Sequence, residues 1–278
     1  MVVLRGEFPS NVYPWLALES RGVEIRWARL DRGFLAPEEL RERIDSRTRL
    51  VAATFVDWQF GTRNDLGRLA SVCRERDVLF CVDGIQGVGA LRIDVENAGV
   101  DALSCGGHKW LLAPEGCGFL YVSRRVLERI RPVLLGWKSV RDADTYLPYH
   151  FELRDDAAKF EPGSPPHLGI HALGGGVELL LEAGADFVET RILELTDLLV
   201  EGLRQRGLRV LSPRGPSLSS GIVTFEPGDD PVRLCEELER RGYIVRPRAG
   251  GVRVSPHFYN DEDDIGGFLA ALDEVRRR

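Results

Sequence analysis

Between residues 50 and 122 the chain alternates short, almost unbroken apolar runs with amphipathic segments, and this alternation restricts it to a layered α/β fold. Val51-Ala-Ala-Thr-Phe-Val56 and Val78-Leu-Phe-Cys-Val82 are apolar at nearly consecutive positions, as in strands covered on both faces of a parallel sheet. Between them, residues 65–77 put Leu66, Leu69, Ala70 and Cys73 on one helical face and Arg68, Arg74 and Glu75 on the other, which makes the unit βαβ. Upstream, residues 23–30 alternate like a more exposed strand and residues 36–44 predict a charged surface helix. Downstream, residues 102–104 and 118–122 predict two more strands, with Ser123 capping the helix that follows.

From 136 to 166 the pattern breaks into Pro, Gly, Asp and aromatic residues without a period, a long excursion of the kind that often carries function. Two helical patterns, 167–185 and 186–206, lead into a second unit. There, strands at 208–211, 221–225, 243–245 and 252–254 alternate with helices at 231–241 and 261–277. The expected organisation is a large domain over residues 1–175, followed by connecting helices and a smaller α+β domain over 176–278.

Charge and cysteine usage exclude several function classes. With 37 Lys and Arg against 43 Asp and Glu the net charge is -6, the wrong sign for tracking phosphates, so no nucleic-acid partner is expected. No stretch reaches the roughly 18 continuous apolar residues of a membrane span, so no membrane partner is expected. The five cysteines are odd in number and form no C-x-x-C pair, as in reduced thiols of a cytoplasmic protein. His167 and His171 stand one helical turn apart, but Leu168 occupies the place of a zinc-protease Glu and no third ligand is near; no metal is expected.

In open α/β sheets ligands gather at the carboxyl ends of the strands. There the sequence places Asp83-Gly-Ile-Gln86 after one apolar run and Cys105-Gly-Gly-His-Lys109 after the next. Lys109 is one of only three lysines, with Lys138 and Lys159, in a chain whose other basic residues are Arg; a generic surface cation would have been Arg. The plain alternative is a helix-capping Asp83 and a surface Lys109. A lysine amine together with an acid is what pyridoxal 5'-phosphate (PLP) chemistry needs, the lysine for a Schiff base and the acid to keep the pyridine nitrogen protonated.

Val82-Asp-Gly-Ile-Gln-Gly-Val-Gly89 and Gly107-His-Lys-Trp-Leu-Leu-Ala-Pro-Glu-Gly-Cys-Gly-Phe-Leu-Tyr-Val122 closely resemble the class V aminotransferase family of fold type I PLP enzymes, which includes cysteine desulfurases, selenocysteine lyases and isopenicillin N epimerase-like proteins. The resemblance runs from about Glu7 to the C terminus. It implies a PLP-dependent transferase-like α/β fold, a homodimer and an enzyme acting on the α-amino group of a small amino acid by transamination, lyase or epimerase chemistry. It further implies that Lys109 forms the Schiff base and moves the α-proton, that Asp83 pairs with the pyridinium nitrogen, and that Gln86 bonds the phenolic oxygen. His108 would sit by the phosphate or imine, and Phe8 would stack on the ring where desulfurases carry an imidazole. Arg253 would fork onto the substrate carboxylate with Arg246 as a second contact, and Ser164 would reach the phosphate of the neighbouring subunit.

The sequence also departs from the family pattern. The usual N-terminal portion with its phosphate-cradling loop is expected to be lacking, Gly106 stands where relatives often carry a serine, and Trp58 where desulfurases carry an asparagine. The loop after Arg246 holds no cysteine, which lowers desulfurase below the other activities. The alternative is a non-catalytic or truncated relative that keeps the fold but binds PLP weakly or not at all. A nucleotide-binding reading of Gly84 to Gly89 lacks the G-x-G-x-x-G spacing.

Overall fold

The computed structural model describes residues 1–277. Its larger sheet contains β1 (Val2–Leu4), β2 (Arg26–Ala28), β3 (Leu50–Thr54), β4 (Leu79–Asp83), β5 (Ala102–Gly106) and β6 (Gly118–Val122) in the order β2-β1-β3-β4-β5-β6. The first five run parallel and β6 closes antiparallel on β5. Helices α1 (Tyr13–Leu16), α2 (Pro37–Arg43), α3 (Leu66–Arg74) and α4 (Arg124–Leu127) punctuate these strands. The near-continuous apolar runs meet the burial expected of them: in β3 every residue after Leu50 is buried, and Phe80 and Leu103 are fully enclosed. Each such side chain contributes about 2–3 kcal/mol of apolar burial.

Two long helices, α5 (His167–Ala183) and α6 (Ala185–Gln205), lead to a second, four-stranded antiparallel sheet. It contains β7 (Arg209–Val210), β8 (Val223–Glu226), β9 (Arg246–Arg248) and β10 (Gly251–Val254) in the order β7-β8-β10-β9, with α7 (Pro231–Glu239) and α8 (Glu262–Arg276) packed against it. Helix α6 belongs to both cores. Val188 and Ile192 pack with the larger sheet, while Leu195, Leu199 and Leu203 pack with the smaller. Among the described residues no helix is long and apolar enough to cross a membrane.

Two local expectations need correction. The strand expected at 243–245 lies one step later, at β9, and Ile244 is exposed. The reason is the hairpin: Ala249 and Gly250 take φ of 51° and 72°, and this two-residue turn sets Arg248 opposite Gly251. Ser123 does precede α4, but its side chain makes no cap bond; its hydroxyl lies 3.5 Å from the Asp101 carboxylate, which also holds Arg125.

Candidate functional site

The parallel strands deliver their C-terminal ends to one edge, where a cleft of about 790 Å³ opens. Its wall includes Asp83 from β4, Ser104 to Gly106 from β5, His108, and Gly118 to Leu120 from β6. Ser10 and Asn11 of a 3-10 turn (Pro9–Asn11) close one side, and a second such turn (Ala157–Phe160) from the long excursion closes another. The volume lies within the roughly 300–1,000 Å³ of small-molecule sites. A second cavity of about 750 Å³, between residues 89–94 and α5 and α6, contains the Arg63–Glu189 ion pair and none of the expected site residues.

Asp83 ends β4 with one carboxylate oxygen accepting the Ile85 N–H at 2.9 Å. Burial pushes its carboxyl above the usual range, and that bond and the charge of Lys109 oppose the shift. Lys109 sits on a turn tied by Gly107 N to Cys117 O at 2.8 Å and Ala113 N to Gly107 O at 3.0 Å. Gly107 is required there because a Cβ would lie 2.9 Å from Ala113 Cβ. Burial lowers the Lys109 amine below its ordinary value; the Arg253 charge adds to this and Asp83 opposes it. Its Nζ stands 5.9 Å from the centroid of the half-exposed Phe8 ring, which meets Trp58 edge-on at 5.4 Å. The carboxylate, the amine and the aromatic ring are thus neighbours.

Gln86 is buried three residues after Asp83 and does not line the cleft. His108 is exposed on the cleft wall, against Gly106, where any Cβ would approach its ring at 3.1 Å. Arg253 is held by a 2.7 Å bond from Nη1 to the Trp58 carbonyl, and its Nε is buried without a partner. Burial lowers its pKa to about 10, and Arg248 adds to the shift. Two expected residues stand elsewhere in this chain. Arg246 is exposed and turned toward Glu239 at 3.5 Å, and Ser164 is exposed outside the cleft.

Four contributors escaped the sequence reading. Glu7 is buried, with Oε1 accepting the Phe8 N–H at 2.8 Å and Oε2 unpartnered; burial, then Asp83 and Asp57, push it up to about 7. Asp57, also buried, accepts the Gln59 N–H at 2.9 Å and the Phe60 N–H at 2.5 Å, shaping the turn that carries Trp58. Arg248 lies over the Trp58 ring at 5.4 Å. His257 accepts the Phe258 N–H at Nδ1, so its Nε2 donates to the carbonyl of Trp110, next to Lys109, at 3.1 Å. For Glu7 the adjacent stacking aromatic was the available signal; for Arg248, its place two residues from Arg246 on one strand face. Gln59 donates to Gly6 O at 3.2 Å, and Trp58 Nε1 reaches the same carbonyl at 3.1 Å.

A model of the family described as aminotransferase class-V matches residues 1–268. A probable cysteine desulfurase of Methanothermobacter thermautotrophicus is 30% identical over 99% of this chain and 72% of its own length. An uncharacterised aminotransferase of Bacillus subtilis is 25% identical, over 97% and 70%. Among solved structures, the apo cysteine desulfurase of Thermococcus onnurineus superposes with a TM-score of 0.88 at 24% identity, over 99% of this chain and 72% of that one. The cystine C–S lyase C-DES, in complex with its product cysteine persulfide, superposes with a TM-score of 0.87 at 26% identity, over 98% and 74%.

Proposed function

Because the chain belongs to the aminotransferase class-V family, we propose that it acts on the α-amino group of a small amino acid, with Lys109 as the anchoring lysine. It is a PLP-dependent enzyme of the transferase or lyase kind, with the fold type I architecture. The observation that carries the residue assignment is geometric: the Lys109 amine lies by Phe8, Phe8 meets Trp58 edge-on, and the Trp58 carbonyl holds Arg253, while the charges of Asp83 and Arg253 both act on the amine. That donor set fits the cofactor: an amine lowered by burial, an aromatic face beside the amine, and an acid at a strand end that, unlike Lys109 and Phe8, also lines the cleft with His108.

When bound, PLP supplies an electrophilic carbonyl carbon and a protonated ring that withdraws electrons from the substrate α-carbon. Lys109 would hold it covalently, and the same amine, its pKa lowered by desolvation, would take and return the α-proton. Asp83 would keep the ring nitrogen protonated, Phe8 would stack on the ring, and Gln86 and His108 would bond its oxygens. Arg253 would grip the substrate α-carboxylate through the buried, unpartnered Nε and the remaining guanidinium donors. Ser164 would reach the phosphate only across a homodimer. The exposed apolar residues of α5 and the excursion before it support such a pairing. Five free cysteines support a cytoplasmic setting.

The thiols argue against a persulfide route through a cysteine of the β9–β10 hairpin. The β9–β10 hairpin carries none, and Cys235 is buried on the core-facing side of α7 with its pKa pushed up to about 11. Cys105 reaches the cleft wall, but burial pushes it up to about 12, which leaves it protonated at neutral pH. Adding PLP to the purified chain should produce a visible absorption band that Lys109→Ala abolishes. A band of equal strength in the variant would overturn the assignment.

A further inference from the structure

The site contains one more partly buried guanidinium than the proposed reaction uses. Arg248 and Arg253 each bury an Nε–H that has no hydrogen-bond partner. Among the described residues neither guanidinium has a carboxylate at ion-pair distance. Asp57 is the acid whose charge reaches Arg253, and its Oδ1 accepts the Gln59 and Phe60 N–H groups. Arg246, by contrast, turns to Glu239. An enclosed N–H without an acceptor is costly, and on a guanidinium it is best completed by an anionic oxygen.

Both arginines face the same place. In β10, Val252 and Val254 pack into the small-sheet core, so Arg253 between them points to the opposite face. Arg246 is the cross-strand partner of Arg253, and Arg248 lies two residues further along β9 on that face. Trp58 links them, its carbonyl accepting from Arg253 and its ring lying under Arg248. The charges of both depress the Lys109 amine, so both lie within electrostatic reach of it. Arg248 spends Nη1 on the Pro247 carbonyl at 2.7 Å and keeps its Nε free.

Resting on the functional reading above, in which Arg253 takes the α-carboxylate, we infer that Arg248 is a specificity-determining residue that binds a second acid group, so that the preferred substrate is an acidic amino acid. A guanidinium fork already stacked on an aromatic ring is pre-oriented for a carboxylate or similar oxyacid on the substrate side chain.

The test uses two ligands that cannot react with the cofactor, succinate and its monoamide succinamate, titrated by calorimetry into both PLP-loaded and PLP-free protein. Succinate should bind about tenfold or more tightly than succinamate. Arg248→Gln should erase that gap while leaving succinamate within about twofold, and Arg248→Lys, which keeps the charge, should retain part of it. Equal binding of the two ligands to the wild type overturns the inference. So does an Arg248→Gln variant that loses both ligands alike, which would place Arg248 on the same carboxylate as Arg253, or one whose PLP affinity falls tenfold, which would place it on the cofactor. Failure of the functional reading would be seen separately, as the absence of a Lys109-dependent band before any acid is added.

Discussion

Glu7 carries a clear pH signature. Its carboxyl is enclosed and faces Asp83 and Asp57, so it is pushed up to about 7. A folded-state pKa above the unfolded value of 4.5 means that the native state binds the extra proton. Stability is therefore lost as pH rises from about 4.5 through 7, by an amount on the order of 3 kcal/mol. Glu7→Gln should flatten that part of a melting-temperature profile between pH 5 and 8 and raise stability at its upper end; an unchanged profile would show that Glu7 does not hold the proton. Asp83 and Lys109 were legible in the sequence because each follows an apolar strand and lysine is rare in this chain. The burial of Glu7 was not, because a carboxylate beside Phe8 looks the same whether the turn faces water or the cleft. Arg248 was passed over for Arg246 because the hairpin that turns one toward Glu239 and the other over Trp58 is set by backbone dihedrals.

Among the elements, the turn from Asp57 to Gly61 ties the two sheets together. Trp58 offers its carbonyl to Arg253, the Gln59 carbonyl accepts the Thr224 hydroxyl, and the Gly61 carbonyl accepts the Ser220 hydroxyl. Gly61 takes φ of +71°, and a Cβ there would lie 2.5 Å from both the Cβ and the carbonyl oxygen of Ile222. Gly61→Ala should therefore cost about 3 kcal/mol or more, from left-handed strain and overpacking together, and weaken carboxylate binding by displacing Arg253. Denaturant unfolding within about 0.5 kcal/mol of wild type would contradict this role. The longer helices and the strands β3 and β4 were readable from their periods, whereas the short α1 and the buried β1 were not; Asp65 caps α3. The turn was not readable, because its partners lie 159 to 195 residues further along the chain.

For the whole molecule, the α/β class and the strands β3 and β4 followed from the apolar runs, but β1 inside the larger sheet and the surface left uncovered did not. Helix α5 is rich in apolar residues, yet Leu180 is the one among its seventeen that is buried. Leu168, Leu179 and Leu181, with Tyr149 and Phe151 of the preceding excursion, remain exposed. On the reading that a second copy covers this face, light scattering should give twice the 31.1 kDa chain mass, and Leu179→Asp with Leu181→Asp should shift it toward the monomer. A monomeric wild type would remove the route by which Ser164 reaches a phosphate. The assignment on which the rest depends is the lysine. Borohydride reduction of the PLP-treated protein, followed by peptide mass mapping, should place the trapped adduct on Lys109; an adduct on Lys138 or Lys159 instead, or none at all, would contradict the account.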